Sequence, residues 1–388
     1  MFQTLTEEQK LVRKVAREFV DKEVAPRAKL IDQTGEFPYD LWKRCVELGY
    51  PSILISKQYG GLGLGLTEFC LVLEEISRQS QTLAIILDAS VTLCYLNVQY
   101  GGTEKQKKKF LPMCIAGKIG AVSATEPSGT WNYPAWKTKA VRDGDTLVIN
   151  GVKLFCTNSQ AADVYCLVCH VDSEPNPRMV IVEKGSPGFT FGKIEKKLGW
   201  NGSNTGTLYF DDARVPVENL LPGATETDPP GATMRGFFES CVGIGAMCVG
   251  SAAGALKRAY EYTKQRNVLG QYLIEHQSVA DAIARSAMEI ELCRRLVYHT
   301  AALIDAGQRP APGAAINFLA SACKIQVPEM ASRVCDLAIQ LHGGSGYMTD
   351  TDIHRFWRDV RACQIGEGPT SMHLAYMADS LKIHDGLI

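Results

Sequence analysis

The stretch RDGDTLVINGVKLFCTN, residues 142–158, decides that this chain is not all-helical. Its β-branched and aromatic residues, with turn dipeptides at Asp143–Gly144 and Asn150–Gly151, predict strands joined by hairpins. Short segments of the same texture continue along the chain, for example GTLYFDDARVPV at 206–217. Together they predict an antiparallel sheet or barrel in a middle domain over residues 119–228.

The sequence before this β region has the periodicity of helices. Thr6–Gln9 and Thr103–Gln106 each place Gln three residues after Thr, which is the pattern of a capping box at a helix start. The segment 66–101 is apolar on nearly all sides, so we expect it to form buried helix. Residues 1–118 are therefore predicted to form an N-terminal helical domain.

A helical pattern also follows the β region. A linker rich in Gly, Pro and Thr, LPGATETDPPGAT at 221–233, separates the two. Long helical segments then continue to the end of the chain and predict antiparallel helices in a bundle over residues 229–388. The predicted fold is mostly α with a central β domain.

Composition and charge narrow the class of protein. The 388 residues carry 41 Lys and Arg against 42 Asp and Glu, a net charge of −1. This balance predicts neither nucleic acid nor an anionic membrane as a partner. No apolar run reaches the roughly 18–20 residues of a transmembrane helix, and the N-terminal segment lacks the apolar core of a secretory signal. We therefore expect a cytoplasmic protein.

The thirteen cysteines are an odd number and mostly have apolar neighbours, so they predict buried free thiols rather than a disulfide framework. Cys166 to His170 has the spacing of c-type haem attachment, but it lies in ADVYCLVCHV, residues 162–171, which predicts a buried strand. The seven histidines are scattered and show no metal-ligand spacing. We predict no haem and no metal site.

Four segments from separate parts of the chain resemble the acyl-CoA dehydrogenase family. They are ATEPSGTWNYPAWKTKA at 124–140, KLFCTN at 153–158, RNVLGQYLIEHQ at 266–277, and the region 340–370, which ends in IGEGPT. YGGLGL at 59–64 and KLGWNGSNTGTLYFDDARVP at 197–216 fit the same pattern, so the resemblance covers almost the whole chain. The motifs occur in the family's order, which makes the match specific.

The resemblance implies an FAD flavoprotein in three parts, with an N-terminal helical domain, a middle β domain and a C-terminal four-helix bundle. It implies a homo-oligomer, usually a tetramer, in which the flavin lies between the β domain and the bundle. The implied reaction oxidises an acyl-CoA substrate to the 2,3-enoyl-CoA. An electron-transfer flavoprotein is the expected acceptor of the electrons.

Glu367 takes the position of the family's catalytic base, between Gly366 and Gly368. An exposed Glu, with a pKa of roughly 4.3, is too weak to remove a proton from the carbon α to a thioester, so we expect burial to raise this pKa. The flanking glycines let thioester and flavin approach closely. Glu239 lies near the position where a few family members carry the base, and it remains a second candidate.

The resemblance also implies a set of cofactor contacts. Short hydroxyl groups at Thr125 and Thr157 suit the edge of an isoalloxazine ring, and the planar cation of Arg266 suits a pyrophosphate. Phe155 stands where the family usually has Trp. The full set is Ala124, Thr125, Phe155, Cys156, Thr157, Arg266, Gln277, Gln340, Gly343, Gly344 and Thr370, of which Arg266, Gln277 and the residues from Gln340 to Gly344 resemble contacts with the cofactor of a neighbouring subunit. Without the family pattern, the same residues would be read as ordinary sheet and helix-end residues.

Three positions depart from the family's usual pattern. Thr130-Trp131-Asn132 replaces Gly-Ser-Asp, Gly366 replaces a bulky Tyr, and Pro369 replaces a Thr. Gly366 leaves space beside the reacting carbons, and the indole of Trp131 reshapes the pocket or stacks on a ring. With Trp131, Gly366 and Gly368 as the predicted substrate contacts, these changes favour a branched, cyclic or aryl-bearing acyl group.

Two other classes of function fit the same sequence. An enoyl-CoA reductase, a desulfinase or a flavin oxidase would keep the fold, and a reductase would use Glu367 as a proton donor. A non-catalytic ligand-binding or assembly protein would have lost flavin because of Trp131. The visible absorbance of flavin in the purified protein separates the second class from the enzymes.

Overall fold

Helices, a β-sheet and further helices follow one another along the chain, as the sequence predicts. The computed structural model describes residues 5–130, 133–222, 231–311 and 313–384, apart from the side chains of 231–234. The mostly α fold with a central β region is confirmed. Most of the predicted linker at 221–233 lies outside the described residues.

Helices make up most of the region before the sheet. Their bounds are α1 Glu7–Phe19, α2 Ala25–Thr34, α3 Tyr39–Glu47, α4 Leu66–Ser77, α5 Gln81–Ser90, α6 Leu96–Gly101 and α7 Glu104–Ile115. A π-helical turn at Val91–Tyr95 joins α5 to α6. Both predicted capping boxes are confirmed, because the Thr6 and Thr103 hydroxyls accept from the backbone N–H of Gln9 and Gln106, each at 3.2 Å.

Within the described residues, seven strands form one sheet in the order β1-β4-β2-β3-β7-β6, and β5 also pairs with β4. The strands are β1 Gly120–Ser123, β2 Lys139–Asp143, β3 Thr146–Thr157, β4 Val164–Val171, β5 Arg178–Glu183, β6 Phe189–Ile194 and β7 Thr205–Pro216. The pairs β1–β4 and β2–β4 are parallel, so the sheet is mixed rather than wholly antiparallel. These pairings join strands that are distant in sequence. Turn dipeptides indicate only hairpins between successive strands, so they do not predict such pairings.

The two turn dipeptides have different roles. Asp143–Gly144 forms the predicted hairpin between β2 and β3. The hairpin turn predicted at Asn150–Gly151 is wrong, because both residues lie inside β3, where its pairing with β7 shifts register. Gly151 has φ 149°, and a Cβ at this position would overlap with Thr138. The glycine therefore serves a bulge and a close backbone approach.

The region after the sheet is built around one long helix, α8. Its helices are α8 Gly231–Thr263, α9 Gln277–Asp305, α10 Ile316–Leu341, α11 Gly344–Tyr347, α12 Ile353–Cys363 and α13 Thr370–Ile383, and β8 Asn267–Val268 and β9 Gln271–Tyr272 form a short hairpin after α8. Helix α8 packs against α9 and α10 and also against α4 and α5. The approach to α4 depends on Gly250 and Gly254, where a Cβ would overlap with carbonyl oxygens of α4 and its end.

Two helical segments, Gln81–Gly101 and Arg235–Thr263, are long and apolar enough to cross a membrane by length and composition, which the inspection of apolar runs missed. In their most apolar windows, 94% and 89% of the residues are buried inside the protein. The two segments pack on each other, so their apolar character fits core helices. The thirteen cysteines are likewise buried and free, as predicted, and Cys166 lies in β4.

Candidate active site

The loop between α12 and α13 carries Glu367 in a backbone conformation that few side chains adopt. Glu367 has φ 55° and Gly368 has φ 94°, so two consecutive residues lie in the left-handed region. The buried Lys324 ammonium donates to the carbonyl oxygens of Gly368 and Gln364. His373 Nε2 lies 2.9 Å from the carbonyl oxygen of Glu367. These contacts hold the strained backbone in place.

The carboxyl group of Glu367 has one engaged oxygen and one free oxygen. Oε1 accepts a hydrogen bond from Ser240 Oγ at 2.8 Å, whereas Oε2 is buried and has no hydrogen-bond partner among the described atoms. Burial raises the pKa of Glu367 to about 7, against the opposing effects of the Ser240 hydrogen bond and the Lys324 charge. A carboxyl group in this environment can accept or release a proton near neutral pH.

Glu239, the second candidate base, has both carboxyl oxygens engaged. It is 2% exposed, and its oxygens accept from Tyr100 Oη at 2.7 Å and from Arg235 Nε at 3.0 Å. Burial raises the pKa of this carboxyl group, while the charge of Arg235 opposes the rise. Arg235 also lies over the Tyr100 ring, 3.7 Å from its centroid. The geometry of Glu239 is that of an ion-pair partner for Arg235.

A second buried carboxyl group, Asp88 in α5, lies next to Ser240. Ser240 Oγ is 2.9 Å from Asp88 Oδ2 and 2.8 Å from Glu367 Oε1, so one hydroxyl group bridges the two acids. The sequence analysis missed Asp88 and Ser240, and it missed the loop-holding residues Lys324 and His373. A signal was available for Asp88, since an ionisable residue that stands alone in an otherwise apolar helix such as α5 is rarely buried without partners.

His373 lies in α13 next to the Glu367 loop, one turn after the half-buried Thr370. Its Nδ1 is 3.2 Å from Ser321 Oγ, and the ring of Phe237 stacks on the imidazole with 5.7 Å between centroids. Burial lowers the pKa of His373 to about 4, so the imidazole is neutral at neutral pH. Because Nε2 faces the carbonyl oxygen of Glu367, Nε2 carries the proton and Nδ1 accepts from Ser321.

A buried ion pair positions the predicted cofactor contacts at the end of β1. Lys153 Nζ lies 2.8 Å from Glu126 Oε1 and 3.0 Å from the carbonyl oxygen of Ala124. The backbone N–H of Leu154 donates to the carbonyl oxygen of Thr125 at 2.8 Å. Strand β3 is thereby tied to the turn that holds Ala124 and Thr125, so the two predicted groups of flavin contacts lie together.

Phe155, Cys156 and Thr157 end strand β3 beside this turn. Phe155 has φ 54° at a register shift between β3 and β7, and it is 63% exposed. The Cys156 side chain is buried, with Sγ 3.3 Å from the carbonyl oxygen of Val122, so only its backbone is available to a ligand. An exposed aromatic ring beside the half-buried Thr125 and Thr157 suits a flat aromatic cofactor.

The other predicted cofactor contacts lie at the far end of α8. Arg266 follows this helix and is exposed, and Gln277 begins α9 and is also exposed. The rings of Tyr262 and His342 stack with their centroids 4.4 Å apart. This contact brings the connection from α10 to α11, which is called the loop at 340–344 and carries three predicted contacts, close to the end of α8.

This second group of contacts is remote from Glu367 in the same chain. Ser240 and Thr263 both lie in α8, and the 23 residues that separate them correspond to roughly 35 Å of helix. Ser240 contacts Glu367, whereas Arg266 lies beyond Thr263. The structure therefore places Arg266, Gln277 and residues 340–344 far along α8 from the Glu367 loop.

The predicted substrate contacts differ in the space around them. A Cβ at Gly366 would lie 3.4 Å from the carbonyl oxygen of Ala362, a van der Waals contact, whereas a Cβ at Gly368 would overlap with Met372. Gly366 can therefore take a side chain, whereas the φ of 94° at Gly368 disfavours any residue other than glycine. Trp131, the third predicted contact, lies outside the described residues.

Three models of acyl-CoA dehydrogenase domains match this chain. The N-terminal domain matches residues 6–118, the middle domain matches 121–213 and the C-terminal domain matches 231–382. Together the three matches span most of the sequence in the order that the sequence analysis expects.

Two relatives align over nearly their whole length. The short-chain specific acyl-CoA dehydrogenase of Clostridium acetobutylicum is 37% identical over 95% of this chain and 96% of its own. The cyclohexane-1-carbonyl-CoA dehydrogenase of Geobacter metallireducens is 33% identical over 97% of this chain and 98% of its own.

Solved structures agree with these matches. Butyryl-CoA dehydrogenase from Megasphaera elsdenii superposes with a TM-score of 0.92 and 33% identity over 98% of this chain and 100% of its own. A chain of the structure described as the electron transferring flavoprotein of Acidaminococcus fermentans gives a TM-score of 0.92 and 34% identity over 98% and 99% of the two chains. By sequence, domain order and fold, the chain belongs to the acyl-CoA dehydrogenase family of flavin-dependent oxidoreductases.

Proposed function

We propose that the protein uses FAD to remove the α- and β-hydrogens of an acyl-CoA thioester, giving the 2,3-enoyl-CoA, and that Glu367 is the base. One observation carries the assignment of the base: Glu367 Oε2 is buried and unpartnered in a carboxyl group with a pKa of about 7. A base with a pKa close to the working pH is efficient at proton transfer. Glu239 is less suitable, because Arg235 and Tyr100 engage both of its oxygens.

In this mechanism Glu367 Oε2 takes the α-proton of the thioester while Ser240 holds Oε1. Lys324 and His373 bind backbone carbonyl oxygens of the loop, so they fix the position of Glu367 without competing for Oε2. Burial of the carboxyl group excludes the water that would otherwise solvate its charge and lower its pKa. FAD, when bound, accepts the β-hydrogen together with two electrons.

The residues at the end of β1 and β3 fit a flavin. Phe155 presents an exposed aromatic face, and Thr125 and Thr157 offer hydroxyl groups at the same end of the sheet. Lys153 and Glu126 hold this arrangement from inside the sheet. We assign these residues to the isoalloxazine ring, with Phe155 against one face.

Arg266, Gln277 and the loop at 340–344 are assigned to the FAD of a neighbouring subunit in a homotetramer. Two observations support this assignment. The group is exposed, and it lies roughly 35 Å along α8 from the residue that contacts Glu367, by the rise of a helix. A cation and two glycines, Gly343 and Gly344, with open space around them suit a diphosphate that arrives from another subunit.

An electron-transfer flavoprotein is proposed as the electron acceptor. Membership of the acyl-CoA dehydrogenase family supports this, as does the similarity to a chain of the Acidaminococcus fermentans structure. The proposed acyl group is branched, cyclic or aryl-bearing, because Gly366 leaves the loop beside Glu367 without a side chain. The cyclohexane-1-carbonyl-CoA dehydrogenase relative is named for a cyclic substrate, which is consistent with this class.

Glu367→Gln is expected to retain FAD but to lose about 10²–10⁴-fold in kcat, the usual contribution of a general base. The amide has nearly the same shape and cannot accept the proton. Anaerobic bleaching of the flavin by acyl-CoA in a stopped-flow instrument measures the effect directly. Glu239→Gln is the matched control, a buried Glu with its oxygens engaged, and it should retain most of the bleaching rate. If Glu239→Gln is inactive while Glu367→Gln is active, Glu239 is the base and the assignment to Glu367 is wrong.

Arg266→Ala is expected to weaken FAD binding at least tenfold, since it removes a charge-assisted contact with phosphate. Titration of the apoprotein with FAD measures the affinity, and light scattering reports the oligomeric state. Arg309→Ala removes an exposed Arg from the loop between α9 and α10 and should leave FAD binding unchanged. A monomer that holds FAD as tightly as the parent protein would show that no neighbouring subunit takes part.

Gly366→Tyr is expected to lower kcat/KM for bulky acyl groups more than for straight ones. Pocket shape discriminates by about 1–3 kcal/mol per methylene, so we expect a preference rather than exclusion. The measurement compares isobutyryl-, cyclohexanecarbonyl- and phenylpropionyl-CoA with butyryl-, hexanoyl- and octanoyl-CoA in both proteins. Gly366→Ala provides an intermediate step in volume. Equal losses for both sets, or a tenfold advantage of a straight chain in the parent protein, would contradict the proposed substrate class.

A further inference from the structure

Three oxygen atoms, from two helices and the Glu367 loop, form a chain of short contacts at the proposed base. Asp88 Oδ2 is 2.9 Å from Ser240 Oγ, and Ser240 Oγ is 2.8 Å from Glu367 Oε1. Each distance is that of an O–H···O hydrogen bond. A Ser hydroxyl has a single hydrogen and can donate to only one of these two oxygens. The second contact therefore needs a hydrogen from one of the two carboxyl groups.

Burial indicates that this hydrogen is on Asp88. Asp88 is 0% exposed, whereas Glu367 is half-buried and lies on a loop. The Thr92 hydroxyl is directed to the carbonyl oxygen of Asp88 at 2.7 Å and is 3.3 Å from Oδ1, so it gives the carboxyl group little compensation. Burial, with the Glu367 charge as a second cause, raises the pKa of Asp88 well above its usual value. The charged form is disfavoured at the more deeply buried site.

The other ionisable groups around the pair leave this assignment in place. The thiols of Cys70, Cys241 and Cys363 come from α4, α8 and α12, and burial raises the pKa of each, so they are neutral. His373 in α13 is neutral because burial lowers its pKa. Lys324 in α10 directs its hydrogen bonds to carbonyl oxygens of the Glu367 loop, on the Glu367 side of the pair.

The packing fixes Asp88 in this position. Gly243 lies three residues after Ser240 in α8, and a Cβ there would overlap with Asp88 Oδ1. The absence of a side chain at Gly243 thus makes the space that the Asp88 carboxyl group occupies. Immediately after Asp88, the helix widens into the π-helical turn at Val91–Tyr95, a feature that is frequent at functional sites.

We infer that Asp88 is a positioning residue for the base: it is held as a neutral carboxylic acid that donates its O–H to Ser240 Oγ, and Ser240 in turn donates to Glu367 Oε1. This arrangement orients the Glu367 carboxylate and leaves Oε2 as the oxygen that takes the substrate proton. It also keeps a second negative charge away from Glu367. The inference rests on the proposed role of Glu367 and extends it to two residues that do not touch the reacting carbons in this mechanism.

Two substitutions of Asp88 separate a neutral donor from a charged acceptor. Asp88→Asn keeps the shape and can donate from Nδ2 to Ser240, so it mimics the neutral acid. Asp88→Leu fills the space without a donor. We expect kcat to fall about tenfold or more in Asp88→Leu, the scale of a lost hydrogen bond to a charged group, and to be restored largely in Asp88→Asn. If Asp88→Asn is as impaired as Asp88→Leu, Asp88 acts as an acceptor and the inference is wrong.

The pH profile gives a second readout that a purely structural role would not change. With a neutral Asp88, the midpoint of kcat/KM against pH should be the same in Asp88→Asn and in the parent protein. An ionised Asp88 would repel the Glu367 charge, and Asp88→Asn would then move the midpoint to lower pH. If Asp88→Leu does not fold, Ser240→Ala replaces it: the hydroxyl link is lost, and kcat should fall by the same order.

Infrared spectroscopy of the holoenzyme tests the protonation of Asp88 without reference to the role of Glu367. At pH 9, where Glu367 with its pKa of about 7 is ionised, the parent protein should show the C=O stretch of a protonated carboxylic acid, and the difference spectrum between the parent protein and Asp88→Asn should show that Asp88→Asn has lost this band. If this band is found while Glu367→Gln remains active, the proposed base is wrong, but the inference that Asp88 is protonated is supported. If Asp88→Asn removes no such band, the inference is overturned whatever the role of Glu367.

Discussion

The structure depends on holding the carboxyl group of Glu367 in a buried position, where its charged form is disfavoured. Glu367 combines a left-handed backbone with a buried oxygen that has no partner, and an unsatisfied buried polar group costs about 1–3 kcal/mol. Lys324, His373 and Ser240 come from three different helices and all hold this one loop or its side chain. The same burial raises the pKa of Glu367 to about 7, which suits the proposed role of this residue as a base near neutral pH.

Helix α8 connects the Glu367 loop to the rest of the protein. Near its N-terminal end, Ser240 and Gly243 contact or make space for the acids of the site, and its other end leads to Arg266 and the loop at 340–344. The apolar character of the helix follows from its central position between the bundle and the N-terminal helices. One helix thus sets the geometry of the proposed base and, in the proposed tetramer, the reach of the contacts to a neighbouring cofactor.

Sequence reasoning succeeds here where a pattern is local or belongs to a family. The capping boxes at Thr6 and Thr103 need only four residues, and both are present. Asn150–Gly151 was misread because a turn dipeptide and a bulge glycine look alike until the partner strand is known. Asp88 and Ser240 were not predicted, because their roles depend on contacts between α5, α8 and the Glu367 loop. No local sequence pattern indicates these contacts. The site residues assigned by resemblance remain predictions.

The central claim is that Glu367 takes the α-proton of the substrate, and solvent exchange of that hydrogen tests it most directly. The holoenzyme is incubated anaerobically with an acyl-CoA in deuterium oxide, and nuclear magnetic resonance follows the loss of the α-hydrogen. The account predicts exchange in the parent protein that becomes faster as pH rises through about 7, because the ionised carboxylate is the active form. It predicts no exchange in Glu367→Gln with its flavin retained. Exchange at the parent rate in Glu367→Gln would contradict the claim.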